Sequence, residues 1–119
     1  MREVRNYEVF KKAHQLTLEV YRLTAAFPQG EAFGLVQQMR RAAYSIPTNL
    51  SEGSAREGEK EFAQFVNVAV GSCEEIRYQL LLSRDLRYIT DADYEALESE
   101  YESVKKMLTR LYQKLKGKK

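Results

Sequence analysis

The chain has 119 residues, of which 44% are hydrophobic and 30% charged, with only 6 Gly and 2 Pro. This length fits one domain with a single core, and this composition suits an ordered helical protein rather than a disordered or all-β one. The 19 Lys and Arg residues against 17 Asp and Glu leave a net charge of +2, which alone argues neither for nor against a nucleic-acid partner. One Cys and one His exclude a disulfide framework and a structural zinc site, which needs about four such ligands.

The start of the chain is charged from Arg2, and no apolar run approaches the roughly 18 residues of a membrane span. We therefore expect a cytoplasmic protein that does not enter a membrane.

Four stretches carry apolar residues three and four positions apart, the spacing of amphipathic helices. They predict helices over about 7–26, 32–56, 59–86 and 91–115, followed by a basic tail at 116–119. Because short connections force neighbouring helices to run antiparallel, we predict an all-α, up-down-up-down four-helix bundle in a single domain, 1–119.

The first and fourth predicted helices have more apolar surface than a lone bundle needs. Extra apolar faces commonly mark an interface, so these helices favour an oligomer. The residues concerned are Phe10, Thr17, Tyr21 and Thr24 in the first helix and Met107 and Tyr112 in the fourth.

Pro47 lies inside the second predicted helix. Proline has no N–H to bond the carbonyl of Ala43, so the helix must kink or restart there. We expect the hydroxyls of Ser45 and Thr48 to bond the freed carbonyls, and Asn49 with Glu52 to form a capping pair if the helix restarts.

Small residues run from Ala69 to Cys73 in the third predicted helix. They predict a close approach by a facing helix, which would explain Gly71 at a position where glycine costs about 1 kcal/mol. In the connection before the fourth helix, Thr90 with Asp91 and Asp93 predicts a helix N-cap.

No set of residues has the spacing of a catalytic or metal site. His14 lacks the Glu-x-x-His pattern of a di-iron bundle and is interpreted as a packed or half-exposed imidazole. Cys73 lies among apolar residues far from any base, so we interpret it as a small hydrophobic side chain. We therefore expect a protein that is not an enzyme and has no cofactor, metal or small-molecule substrate.

Charge is segregated along the fourth predicted helix. Six acidic residues and no basic one fall in 91–102, whereas seven basic residues and no acidic one fall in 104–119. Acids at the start of a helix and bases at its end complement the helix dipole, which is one interpretation. The other is a positive rim that attracts phosphate or an acidic partner. The basic residues are Lys105, Lys106, Arg110, Lys114, Lys116, Lys118 and Lys119.

A second basic cluster combines Arg40 and Arg41 of the second helix with Arg56 and Lys60 at the following turn. The planar fork of arginine suits a phosphate, and it equally suits a carboxylate such as that of Glu52.

Two long runs carry a family resemblance: Gln38–Gly53, QMRRAAYSIPTNLSEG, and Phe62–Leu80, FAQFVNVAVGSCEEIRYQL. Together with Tyr21, Phe27–Pro28, Phe33–Leu35 and Arg56, they resemble the bacterial four-helix bundle proteins encoded in 23S rRNA intervening sequences. The resemblance covers nearly the whole chain.

The resemblance implies an antiparallel bundle that assembles into a ring-like homopentamer, similar to the accessory protein of diversity-generating retroelements. That relative is basic and binds nucleic acid and a reverse transcriptase. The family itself has no established enzyme activity.

Two hypotheses of function follow. The leading one is a homo-oligomer, with the five subunits that the resemblance implies, which binds RNA or a ribonucleoprotein through basic rims. The alternative is a protein-interaction scaffold whose apolar faces and acidic segment hold a partner protein, with no direct role for nucleic acid.

Overall fold

The computed structural model describes residues 2–117, which form four long α-helices and no strand. The predicted all-α four-helix bundle is confirmed. Two short 3₁₀ turns, Val4–Asn6 and Gln29–Glu31, precede the first and second helices. The long helices are α1 Glu8–Thr24, α2 Leu35–Ser54, α3 Glu59–Asp85 and α4 Asp91–Lys116. Lys118 and Lys119 of the predicted tail lie outside the described residues.

Consecutive helices run antiparallel. Between α1 and α2, Thr24 bonds Arg40 and Thr17 bonds Ala43, so the residue numbers fall along one helix as they rise along the other. The start of α1, the end of α2, the start of α3 and the end of α4 therefore lie together at one end of the bundle. This topology brings residues from both halves of the chain to one surface.

The second and third helices approach each other closely at Gly53. A Cβ atom built on Gly53 would lie 2.6 Å from the Phe65 Cβ and 2.8 Å from the Phe62 Cδ1. The predicted role for Gly71 is wrong, because Gly71 is exposed and a Cβ there would meet nothing within 4 Å. Gly71 lies on the outer face of α3, whereas the close contact uses the glycine of the facing helix.

Helix α2 continues through Pro47 without a restart. The Thr17 Oγ1 lies 3.2 Å from the carbonyl oxygen of Ala43, the acceptor that Pro47 leaves without its usual donor. The same hydroxyl lies 2.8 Å from the carbonyl oxygen of Ala13, so its one hydrogen is shared between two helices. A side chain of α1 thus supplies the donor that α2 lacks.

The donors predicted within α2 have other roles. The Ser45 Oγ is 2.8 Å from the Ser72 Oγ of α3, and Thr48 is exposed. Asn49 donates to the Ser45 carbonyl at 2.8 Å and caps no helix start. The predicted hydroxyl rescue and capping pair are therefore wrong, because Ser45 contacts α3, Thr48 faces solvent and Asn49 bonds back within α2.

The connection between α3 and α4 is closed at both sides by hydrogen bonds. Arg87 takes a positive φ of 67°, and the Tyr88 N–H donates to the Ser83 carbonyl at 2.9 Å, the pattern of a Schellman cap with arginine in place of the usual glycine. On the other side, the Asp93 N–H donates to the Thr90 Oγ1 at 3.0 Å, which confirms the predicted N-cap.

Candidate nucleic-acid interface

Cationic side chains from four helix termini meet at one end of the bundle. We call this surface the basic end. Its helix dipoles alternate, since two helices begin there and two end there. Its described cations are Arg2, Arg5, Arg56, Lys60, Arg110, Lys114 and Lys116, and the acids Glu3, Glu8, Glu52, Glu57, Glu59 and Glu61 lie among them. The antiparallel topology brings together Arg56 and Lys60 of the predicted second cluster and the basic last turns of α4.

Arg2 fixes the centre of the basic end. Its Nη1 donates to the Ser54 carbonyl at 3.1 Å and to the Arg56 carbonyl, and its guanidinium lies 4.8 Å from the Phe62 ring centroid. Its Nη2 lies 3.7 Å from the Glu59 Oε2. These contacts satisfy carbonyls that the end of α2 leaves without partners. The sequence carries no local signal for them, because they join residues more than 50 positions apart.

The predicted second basic cluster is not one cluster. Arg40 and Arg41 lie more than three turns before the end of α2, at about 1.5 Å per residue some 20 Å from Arg56 and Lys60. Residues that are near each other in the sequence can lie far apart along the axis of a helix.

Arg40 is held by α1 and not by a carboxylate. Its Nε donates to the Thr24 Oγ1 at 2.9 Å, its Nη2 donates to the Tyr21 carbonyl at 3.1 Å, and its guanidinium lies 4.5 Å from the Tyr21 ring centroid. The neighbouring Arg41 is exposed, and no described carboxylate lies within 4 Å of it. The predicted pairing with Glu52 does not form.

The basic residues of α4 divide into two groups. Lys105 pairs with Glu74 of α3, and Lys106 lies 4.0 Å from the Glu102 carboxylate. Within residues 2–117, neither Arg110 nor Lys114 has a carboxylate within 4 Å, and both are exposed. The second group therefore keeps its full positive charge for a partner.

An ion-pair network joins α3 to α4 beside Lys105. The Arg77 Nε donates to the Glu98 Oε2 at 2.6 Å, and its Nη2 donates to the Glu98 Oε1 at 3.3 Å. The hydrogen bond to Glu98 raises the pKa of Arg77 above its ordinary value. We assign this network to structure, because each of its charges already has a partner.

Cys73 lies between α3 and α4 with no exposed surface. Its Sγ donates to the Tyr101 carbonyl at 3.2 Å. Burial raises the pKa of the Cys73 thiol to about 12. At neutral pH the side chain is a thiol, which is a poor nucleophile.

Alkylation of Cys73 is expected to report unfolding. At pH 8 the native thiol should react with iodoacetamide far more slowly than the unfolded chain, because it has no exposed surface and burial raises its pKa above the ordinary 9.0. The unfolded thiol ionises first, so the free energy of unfolding should fall as the pH rises from 9 towards 12. Mass spectrometry across a urea series measures the labelling. Equal rates in native and unfolded protein would contradict the burial.

Two grooves follow the seam between α1 and α4. One, of about 510 Å³, lies at the basic end and includes Arg2, Arg110 and Lys114. The other, of about 950 Å³, lies further along and has an apolar floor with charges of both signs around it. Its floor has Leu16, Leu23 and Leu97, and its rim has Asp93 and two ion pairs, Lys12 with Glu100 and Arg22 with Glu19.

His14 is exposed on α1. Among residues 2–117 no three His, Cys, Asp or Glu side chains come close enough together to hold a metal ion. Over the same residues, every helix is too short or too polar to cross a bilayer.

The fold has a close match among solved structures. A crystal structure of a protein of unknown function from the S23 ribosomal protein family of Bacteroides thetaiotaomicron VPI-5482 superimposes with a TM-score of 0.80. The match is at 22% identity and covers 88% of this chain and 95% of that one. No curated protein matches the chain.

The family comparison agrees with the sequence resemblance. The model of the 23S rRNA-intervening sequence proteins matches residues 5–110, which include all of α1 to α3 and most of α4. The chain belongs to the 23S rRNA-intervening sequence protein family.

Proposed function

We propose that the chain forms a non-enzymatic, cytoplasmic homopentamer that binds RNA or a ribonucleoprotein through its basic end. The observation that carries the RNA part is the convergence there of exposed cations from separate helices. Two of them, Arg110 and Lys114, have no carboxylate within 4 Å among the described residues. Such cations attract a phosphate backbone without having to leave an internal ion pair.

The pentamer is supported by two exposed apolar surfaces. One lies on α1 and α2, where Leu18, Tyr21 and Tyr44 are 41%, 40% and 45% exposed. The other is the outer face of α3, where Val68 and Tyr78 are 53% and 61% exposed. A closed ring needs two different surfaces on each subunit, one for each neighbour, and this arrangement offers two.

Of the residues that the sequence pattern indicated, only Tyr21 belongs to these surfaces. Thr17 and Thr24 are buried, with their hydroxyls on backbone carbonyls of α1. Phe10, Met107 and Tyr112 pack against the core of their own subunit. Apart from Tyr21, the apolar residues that support an interface are therefore elsewhere on the bundle.

Assembly in five copies would add weak contacts together. Each subunit would present its own basic end, and several phosphates of one RNA could be held at once. Linked weak contacts give a higher avidity than any one of them.

Removing two of the unpaired cations of α4 is expected to weaken RNA binding. The variant Arg110→Ala with Lys114→Ala should lose tenfold or more in affinity for structured RNA at about 50 mM salt. A plot of the logarithm of affinity against the logarithm of salt concentration should become less steep, by roughly 0.7–0.9 in slope for each phosphate that the protein no longer neutralises. Fluorescence anisotropy measures both. The matched control removes two exposed charges that are unpaired within residues 2–117 and lie away from the basic end, Arg41→Ala with Arg87→Ala, and should bind as the unaltered protein does. Equal losses in both variants would show only a loss of net charge, and would contradict binding at the basic end.

The subunit number is tested by light scattering. We expect a mass five times that of the 13.8-kDa chain. Tyr78→Lys should dissociate the ring because it places a charge in the proposed interface, while Leu86→Lys, at a similarly exposed position beyond α3, should not. A monomer in the unaltered protein would overturn the assembly.

The leucine groove between α1 and α4 supports a second candidate function. Its leucine floor suits the apolar face of an amphipathic helix of a partner protein, and Asp93, the carboxylate of its rim that lies outside the two ion pairs, suits a basic residue of that helix. Pull-down from a native lysate treated with nuclease separates the candidates. A protein partner that survives nuclease and is lost in Leu97→Lys favours the scaffold, and a partner lost with nuclease favours RNA.

A further inference from the structure

We propose that the groove between the start of α1 and the end of α4 seats one unpaired nucleotide of the bound RNA. We call it the end groove; its volume is about 510 Å³, within the range of roughly 300–1,000 Å³ typical of small-molecule sites. The inference rests on the proposed RNA binding and adds which form of RNA the basic end selects.

The floor of the end groove suits a flat, apolar group. It is formed by Val9 of α1 and by Met107, Leu111 and Leu115 of α4, with the phenol of Tyr7 beside them. Tyr7, Met107 and Leu111 are only partly buried, so the groove exposes apolar and aromatic surface to solvent. Bases of unpaired RNA stack on such side chains, whereas the bases of a duplex are already stacked on each other.

The rim of the end groove suits a phosphate. Arg110 and Lys114 are one turn apart on the same face of α4, so both side chains reach the same edge. A phosphate between them would lie next to the floor of the groove.

The carboxylates at the groove do not cancel this charge. The Glu8 Oε2 lies 3.6 Å from the Lys11 Nζ, and the Glu59 Oε2 lies 3.7 Å from the Arg2 Nη2. Arg2 is itself held by the backbone at the end of α2. The charge left over is therefore positive and lies at the mouth of the groove.

The test compares RNA of about 16 nucleotides as a single strand and as a duplex, in anisotropy titrations with the full-length protein. We expect tighter binding of the single strand. Tyr7→Leu keeps an apolar side chain against the core but removes the aromatic ring. It should lower affinity for the single strand about tenfold and leave affinity for the duplex unchanged.

A second measurement needs no substitution. In protein labelled with carbon-13 at the methionine methyl groups, adding the single strand should shift the Met107 resonance and leave that of Met39, which is fully buried in the core, in place.

The outcomes separate this inference from the function on which it rests. If both RNAs bind equally, Tyr7→Leu weakens both alike or Met107 does not move, the end groove holds no nucleotide although the basic end binds RNA. If neither RNA binds, the proposed function fails and the inference fails with it.

Discussion

Gly53→Ala is expected to lower the free energy of unfolding by about 2 kcal/mol, since overpacking a tight contact typically costs 1–3 kcal/mol. The added Cβ would lie 2.6 Å from the Phe65 Cβ, an atom fixed to the backbone of α3. A rotamer change cannot relieve this overlap, so the two helices must move apart. Urea denaturation followed by circular dichroism measures the change.

Gly71→Ala is the matched control. Gly71 also lies inside a helix, but a Cβ there would meet nothing within 4 Å. Alanine should therefore raise the free energy of unfolding of a dissociated subunit by about 1 kcal/mol, the usual gain over glycine in a helix interior. The same substitution thus has opposite signs at the two positions. Two changes of the same sign would contradict the close approach of α2 and α3 at Gly53.

Thr17→Val is expected to lower the free energy of unfolding by about 1–3 kcal/mol, the cost of leaving a buried polar group without a partner. Valine has nearly the shape of threonine, so the loss comes from the hydroxyl that α1 offers to the Ala43 carbonyl. Thr17→Ser keeps the hydroxyl and should lose less. Denaturant unfolding of the three proteins compares them.

A double-mutant cycle with Pro47→Ala tests the cause. Alanine at position 47 returns the N–H that bonds the Ala43 carbonyl within α2, so the hydroxyl of Thr17 is no longer needed there. Thr17→Val should then cost less in the Pro47→Ala background, by at least about 1 kcal/mol. Additive effects would show that the two helices are not linked through this carbonyl.

The helical periodicity and the connections made the fold predictable from the sequence. The apolar spacing located all four helices, and Thr90 with the acids after it located the start of α4. These signals are local, since they depend on residues within one or two turns of each other.

Contacts between helices were not predictable in the same way. Thr17 meets Ala43, and Gly53 meets Phe62 and Phe65, because of the register in which helices pack. Periodicity says which face of a helix is buried but not which residue of the neighbour lies opposite. The sequence therefore predicts that Pro47 leaves the Ala43 carbonyl without a donor. It does not predict that the replacement donor is the Thr17 hydroxyl of α1.

The candidate site was predictable in part. The positive end of α4 is visible in the sequence because it lies on one helix. Arg56 and Lys60 lie at the same end because the chain runs antiparallel from helix to helix. The same path separates them from Arg40. Nothing in the sequence predicts the contacts of Arg2, because its pattern does not differ from that of an arginine exposed to solvent.

The seam between α1 and α4 has a consequence for how the bundle opens. Of the neighbouring helix pairs, α1 and α4 pack least closely, whereas α3 packs extensively against both α2 and α4. Helices α2 to α4 therefore form the more stable part, and α1 can detach as a unit before the rest unfolds. Amide hydrogens of α1 should exchange with solvent through this partial opening, and a ligand that bridges α1 and α4 would slow their exchange by holding the seam closed.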